Sequence, residues 1–378
     1  MSKIQLSGVA KRNVVQFDRS KHIFTNGIDN AYPQKVERMI QNSVTADACV
    51  KKATSFIVGD GFADKTLNEK IVYNDGLREY TMYDILQKIA KDMVMQGGFS
   101  LGVTYNGLAE VSKIKPIPYK YVRIGKTDSQ DYSGFYFVYN NWEKDSHKGT
   151  YNINKAQKIH TFNPNPDVVL KQMAGEDYSG QIALFVLDDT YIYPLAPIDA
   201  SLEDADTESL TKTFKNGEMR KGFFGKKILY HTAFASKADE EAFKQTLRQF
   251  EGADCDARTL MIEAEFDANG NLIQESALKL ENLELNFNDK VFEYTEKSTA
   301  NNIRKSFWNI PSILVEQQDS SFFGSSGEAI ANAFKVYNQD TKMIRDFIAS
   351  ALEKVMKHST DEYLKVAKYD IKQLEYGI

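Results

Sequence analysis

Cysteine is nearly absent from this 378-residue chain: Cys49 and Cys255 are the only two, far apart and not spaced with any histidine. That excludes a disulfide framework and a Cys/His zinc site, and it fits a reducing compartment. Long apolar runs are missing as well. No stretch approaches the roughly 20 consecutive apolar residues that a membrane-spanning helix needs, so no membrane partner is expected. The opening MSKIQLSGVAKRNVVQF lacks the apolar centre of a secretory leader, and a soluble protein made inside a cell is the expectation. Positive charge is not in excess either: 47 Lys and Arg stand against 52 Asp and Glu, a net charge of −5. A generally basic nucleic-acid binder is therefore excluded. His22, His147, His160, His231 and His358 are scattered, and neither HExxH nor G-x-S-x-G occurs. No local nucleophile–base pair is written in the chain, and catalytic residues, metals and cofactors are all expected to be none. There is no internal repeat and no low-complexity tail.

What remains is an ordinary folded composition, 42% hydrophobic and 26% charged, with length for two or three domain-sized units. Residues 1–31 read as an arm. Pro33 suits the first turn of a helix. Val36, Met39, Ile40, Val44, Val50, Ala53 and Ile57 keep helical spacing until Gly59 and Gly61 end it. Thr81 and Asp84 form a capping-box pattern for a second helix. Its buried stripe is Ile85, Leu86, Ile89, Ala90, Met93 and Val94, and Gly97-Gly98 stops it. Asn106-Gly107, between two strand-like runs, signals a two-residue hairpin. YKYVRI, GFYFVYNNW, KIHTF and QIALFVL add strands, joined by polar or Pro-rich connections such as NPNPD. The first half is thus an α+β body with a mostly antiparallel sheet.

Pro197 opens a helix that runs to about residue 221, with a thin apolar stripe. Asp199, Glu203, Asp204, Asp206 and Glu208 fill its first half, and Lys212, Lys215, Arg220 and Lys221 its second, a polarity that complements the helix dipole. So long and polar a helix suits packing against neighbours better than a core. KKILYH, a short helix behind Ser236, and strands RTLMIEAEF and LIQE around Asn269-Gly270 make a small αβ unit. A further helix is expected over 289–308, closed by Pro311, then a very long one over 328–357 and a final strand near VAKYDI.

Several stretches invite a chemical reading. GFFGKKI at 222–228 echoes a phosphate-binding loop, but two residues rather than four separate its glycines, and Lys227 stands where a hydroxyl belongs. FDANGN at 266–271 places its glycine too early for a calcium loop and reads as a hairpin. Asp188-Asp189 reads as an Asp-rich turn. Lys212, Lys215, Arg220, Lys221, Lys226 and Lys227 form a basic cluster. It is either a solvated helix end or a contact for an acidic partner or phosphates. Finally, NIPSILVEQQDSSFFGSSGEAIANAF sets a polar Gly/Ser loop carrying Phe322 and Phe323 between two long helices. A loop so polar is displayed rather than buried; an ordinary connector is the alternative.

The order of these segments over about 30–357 resembles the portal (head-to-tail connector) proteins of tailed bacteriophages. YPQKVERMIQNSVTADACVKKATSFIVGDGF looks like that family's opening helix and glycine exit. DILQKIAKDMVMQGGFSLGVTYNGLAEVSKIKPIPYKYVRI is similar to its helix, glycine break, hairpin and P-x-x-x-V-R-I strand. YIYPLAPIDASLEDADTESLTKTFKNGEMRKGF looks like the start of the stem, ending N-G-x-x-x-x-G-F. IRKSFWNIPSILVE with GEAIANAFKVYNQDTKMIRDFIASALEKVM resembles the second stem helix, tunnel loop and long helix.

The resemblance implies a portal-like α+β fold: an antiparallel β/α wing body, a two-helix stem, a small αβ clip and a long C-terminal helix. It divides the chain into an arm (1–31), wing (32–195), first stem helix (196–222), clip (223–285), second stem helix (286–310), tunnel-loop region (311–327), and long wing helix with short tail (328–378). The short tail implies that the crown is reduced or absent. Gln317, Gln318, Asp319, Ser320, Ser321, Phe322, Phe323, Gly324 and Ser325 would then line a DNA channel. Implied partners are sister subunits, usually twelve, the terminase large subunit and a head–tail adaptor at the clip. The major capsid or scaffolding protein and double-stranded DNA read without sequence specificity complete the set. The place would be the capsid portal vertex of a virion, reached from the host cytoplasm during assembly, with roles in DNA packaging and ejection and no enzyme activity. Twelve copies at −5 each carry about −60, which disfavours a channel that grips phosphates. Two rivals stand beside this reading: another virion structural protein such as a head–tail adaptor, and a metal-dependent DNA-processing enzyme using the carboxylates.

Overall fold

The computed structural model describes residues 15–19, 21–125, 134–143, 153–175, 177–190, 192–220, 227–231, 236–238, 240–242, 245, 278–282, 289–315 and 327–376. It divides into two compact units, one made of Met1–Asp206 and Thr299–Ile378, the other of Thr207–Ser298.

The first unit begins, inside the stretch expected as an arm, with an antiparallel pair, β1 (Gln16–Asp18) and β2 (Ile23–Thr25). Where one helix is expected from Pro33 onward there are two, α1 (Tyr32–Asn42) and α2 (Val44–Val58). The break is at Ser43, which is extended. Its hydroxyl oxygen accepts from Ala46 N–H at 3.0 Å and so caps the second helix while ending the first. The exit at Gly59 is as read: φ is +55°, and a Cβ there would lie 1.9 Å from the Lys372 carbonyl oxygen.

A short helix α3 (Lys65–Glu69) and a hairpin of β3 (Ile71–Asn74) and β4 (Glu79–Thr81) follow, neither foreseen in the sequence. Helix α4 (Met82–Gln96) starts at the expected capping box. Asp84 N–H donates to Thr81 Oγ1 at 3.2 Å, and Thr81 N–H to the Asp84 carboxylate at 2.8 Å. Gly97 closes it at φ +74°.

Strands β5 (Gly98–Tyr105) and β6 (Val111–Ile117) form the hairpin expected at Asn106-Gly107, but the loop is five residues, 106–110, not two. Asn106 Oδ1 accepts from Leu108 and Glu110 N–H, at 2.9 Å each, and Ala109 takes φ +60°. Next come β7 (Val122–Ile124), β8 (Phe135–Val138), β9 (Gln157–Thr161), a helix α5 (Pro166–Met173) in the stretch read as a connection, and β10 (Gln181–Val186). They join one six-stranded sheet, order β6-β5-β10-β9-β8-β7. All neighbours are antiparallel except β9 and β10, which are parallel across α5. Phe99, Leu101, Val103, Ile114 and Ala183 lie in the main core with α1, α2 and α4.

Helix α6 (Leu202–Arg220) starts after a 3-10 turn at Asp199–Ser201, and α7 (Asp289–Ser306) matches the expected helix to within two residues. The very long final helix is instead two, α8 (Gly327–Asp340) and α9 (Lys342–Met356). At the break, Thr341 Oγ1 donates to Tyr337 O at 2.8 Å, a back-bond that bends helices. Arg345 then spans the joint, donating to Thr341 Oγ1, Asn338 O and Phe56 O at 2.8, 2.6 and 3.1 Å. The last segment is a short helix α10 (Glu362–Val366) and an extended tail, not the expected strand. The tail makes a single bridge, Ile371 to Phe62, with Lys372 N–H donating to Gly61 O at 2.8 Å.

In the second unit, β11 (Lys227–His231), expected at KKILYH, pairs antiparallel with β12 (Leu278–Asn282). Behind Ser236, Glu240 N–H donates to Ser236 O at 3.2 Å, a helical turn as expected. The strands read at RTLMIEAEF and LIQE lie outside the described residues.

Candidate functional site

The segment 316–326, which holds the expected loop residues Gln317 to Ser325, lies outside the described residues. Its roots do not. Helix α7 ends at Ser306, and Trp308 and Asn309 then take φ of +56° and +55° in succession, turning the chain sharply. Two non-glycine residues in the left-handed region cost energy that neighbouring contacts must offset. Ile310 N–H donates to Arg304 O at 3.1 Å and Asn309 N–H to Lys305 O at 3.2 Å, which closes the helix end. Ile310 and Leu314 are buried on the approach to 316.

On the far side, α8 is seated by an aromatic cluster. Phe56 has Phe334 and Tyr337 rings with centroids 4.9 Å away, the latter edge-on. Tyr337 O–H donates to Phe307 O at 3.0 Å, joining the root that enters the segment to the one that leaves it. The bases of α6 and α7 in the same unit are likewise tied: the Ser201 and Ser306 hydroxyls are 2.7 Å apart, and Asn302 Nδ2 donates to Asp204 at 3.2 Å. Ala205, Ile303 and Phe307 are buried. The roots of 316–326 are therefore a fixed frame, built from residues that are ordinary helix and core positions in the sequence.

The basic cluster is partly described. Lys212 pairs with Glu208 at 3.1 Å, one turn back on α6, and Lys215 pairs with Glu296 of α7, both within the second unit. These two lysines are thus neutralised rather than bare. The backbones of Arg220 and Lys227 end α6 and begin β11; Lys221 and Lys226 lie outside the described residues. In the same unit Leu210 and Tyr294 are 61% and 75% exposed, so the helices show apolar side chains as well as charge.

One residue that sequence reading passed over is Arg123, the arginine of the VRI stretch. Fully buried, it donates from Nε and Nη2 to Asn30 Oδ1 and O at 2.5 and 2.7 Å, and from Nη1 to Lys120 O and Val122 O at 3.0 and 2.8 Å. Its guanidinium lies 5.3 Å from the Trp142 ring centroid. It locks β7 to the start of α1, a structural task, and nothing local in the sequence marks it except an arginine inside a strand pattern.

Among the described residues, no group of His, Cys, Asp or Glu is arranged to hold a metal, and no helix is long and apolar enough to cross a membrane. No protein-family model matches the sequence, and no curated protein matches it. Solved structures do. A chain of the virion of a native gene transfer agent particle is similar with TM-score 0.51 at 12% identity, over 86% of this chain and 80% of that one. A chain in the neck of the empty particle, computed with C6 symmetry, gives TM-score 0.51 at 12% identity over 92% and 84%. An HK97-family phage portal protein from Corynebacterium diphtheriae is matched at 11% identity over 92% and 94%, with TM-score 0.44. At these identities the likeness is one of fold. The fold to which the resemblance read from the sequence led is thus shared with chains of a gene transfer agent particle, one of them in its neck.

Proposed function

We propose that this chain is a portal subunit: one of about twelve copies that close a ring at a single capsid vertex and enclose a channel for double-stranded DNA. The observation that carries the reading is the shared fold with a chain of a gene transfer agent neck over 92% of this sequence. The exposed apolar residues of the second unit, Leu210 and Tyr294, support it, since they give a neighbouring copy something to cover.

On this reading 32–195 with the long C-terminal helices is the wing, and 196–222 and 286–310 are the stem. The clip, 223–285, meets the terminase motor and later the tail adaptors. Gln317–Ser325 faces DNA from a fixed frame of roots. The subunit itself does no chemistry; energy for translocation comes from the motor. The paired state of Lys212 and Lys215 fits a conduit that must let phosphates pass. Deleting Gln317–Ser325 tests the channel role. The variant is expected to assemble as the parent does but to lose DNA packaging or retention; normal packaging by the deletion variant refutes the assignment.

A further inference from the structure

The six-stranded sheet has two unlike faces. One packs into the main core through Phe99, Leu101, Val103, Ile114 and Ala183. The other carries a separate small apolar cluster, Ile117, Val122, Ile159 and Ile182 with Tyr136 and Val138, to which no helix contributes among the described residues. A cleft of about 500 Å³ opens on this second face. Ile117, Ile159, Ile182 and Val138 line its apolar part, and Lys88 and Lys91 of α4 and Lys113 and Lys115 of β6 stand exposed around it.

Register explains the placement. Lys113 is opposite Thr104 and Lys115 opposite Gly102, so both leave the sheet on the side away from Ile114. Gly102 keeps the surface low there: a Cβ would lie 3.0 Å from Ile117 Cδ1. Two other lysines of this unit do form ion pairs, Lys120 with Glu37 at 2.7 Å and Lys70 with Asp361 at 2.6 Å. None of the four cleft lysines comes within 4.0 Å of a carboxylate oxygen among the described residues. Lys88 instead lies 5.4 Å from the Tyr80 ring centroid. Four lysines outside any ion pair, with Asp92 as the one acidic residue beside them in the cleft lining, make a locally positive patch on a chain of net charge −5.

We propose that this cleft docks a short acidic protein segment in which apolar side chains alternate with Asp or Glu. The apolar residues cover Ile117, Ile159 and Ile182, and the carboxylates meet the lysines. A nucleic acid fits less well. Its phosphates would meet the lysines as well, but they would leave the apolar surface uncovered. Tyr73 and Tyr80 stack on each other, centroids 5.6 Å apart, rather than offering both faces to bases. The inference does not rest on the portal reading.

Fluorescence anisotropy on the full-length protein tests it, with three labelled probes: a peptide of alternating Glu and Leu, the same peptide with Gln for Glu, and an oligothymidylate of equal charge. The Glu/Leu peptide is expected to bind and to weaken with added salt. The double variant Lys113→Glu/Lys115→Glu and the single variant Thr104→Glu are each expected to weaken it by about ten-fold or more. Thr104 is an exposed position on the same face, so it decides the matter if the double variant melts early. No binding, equal binding by Thr104→Glu, equal affinity for the Gln peptide, or tighter binding of the oligonucleotide would each overturn the proposal.

Discussion

Asp92 sits at the edge of the lysine-rimmed cleft, where its carboxylate accepts Tyr119 N–H at 2.9 Å. Burial pushes its pKa up to about 7, against the pull of the Tyr119 hydrogen bond and the Lys120 charge. The sign of the consequence is fixed. Between about pH 4 and pH 7 the folded protein holds a proton on Asp92 that the unfolded chain has released, so stability falls as pH rises through that window. Asp92→Asn keeps an acceptor for Tyr119 and removes the titration. Thermal melts are expected to show the variant roughly 2–5 °C above the parent at pH 8 and level with it near pH 4. Parallel pH profiles for the two proteins would contradict this. None of it was legible in the sequence, where Asp92 is one acidic residue on an amphipathic helix. Its environment comes from Tyr119 and Lys120, nearly thirty residues away in β-rich chain, and no periodicity reports such a meeting. Arg123 is the same case: VRI shows only an arginine in a strand pattern, and its partners Asn30 and Trp142 lie just before α1 and just after β8.

At the scale of elements, what local chemistry decides was readable and what tertiary contact decides was not. The Thr81–Asp84 box and the stops at Gly59 and Gly97 stand where the sequence put them, because a cap is settled within four residues. The breaks at Ser43 and Thr341 were missed, since an apolar stripe can run on across a joint that a single hydroxyl creates. Pro311 points to an end for α7 near Trp308, whereas Trp308 and Asn309 already turn the chain in the left-handed region. Tryptophan is among the residues least expected there. This turn supplies a test. Asn tolerates the conformation and glycine tolerates it better, but a β-branched residue does not. Urea unfolding is expected to find Asn309→Gly as stable as the parent and Asn309→Val less stable by about 1–2 kcal/mol. Equal stability of the two variants would show that the turn is not held as described.

For the whole molecule, the α+β class was legible from the mixture of 3.6-residue and two-residue periods, but the sheet order was not. β9 and β10 are parallel because α5 carries the chain across between them, and α5 was hidden in a Pro/Asn-rich stretch that reads as a connection. The pairing of Phe62 with Ile371 joins residues near opposite ends of the sequence, a contact no local pattern encodes. What the sequence did carry at this scale was the order of segments, and that order led to the fold shared with the gene transfer agent neck chain. The central claim is that the chain closes a ring with copies of itself. Its most direct test is the mass and rotational symmetry of the purified full-length protein, by mass photometry and negative-stain imaging. The account predicts closed rings of about twelve 42.9 kDa subunits, near 515 kDa. A particle that stays at 42.9 kDa across the accessible concentration range, with no rotational symmetry in its images, would contradict it.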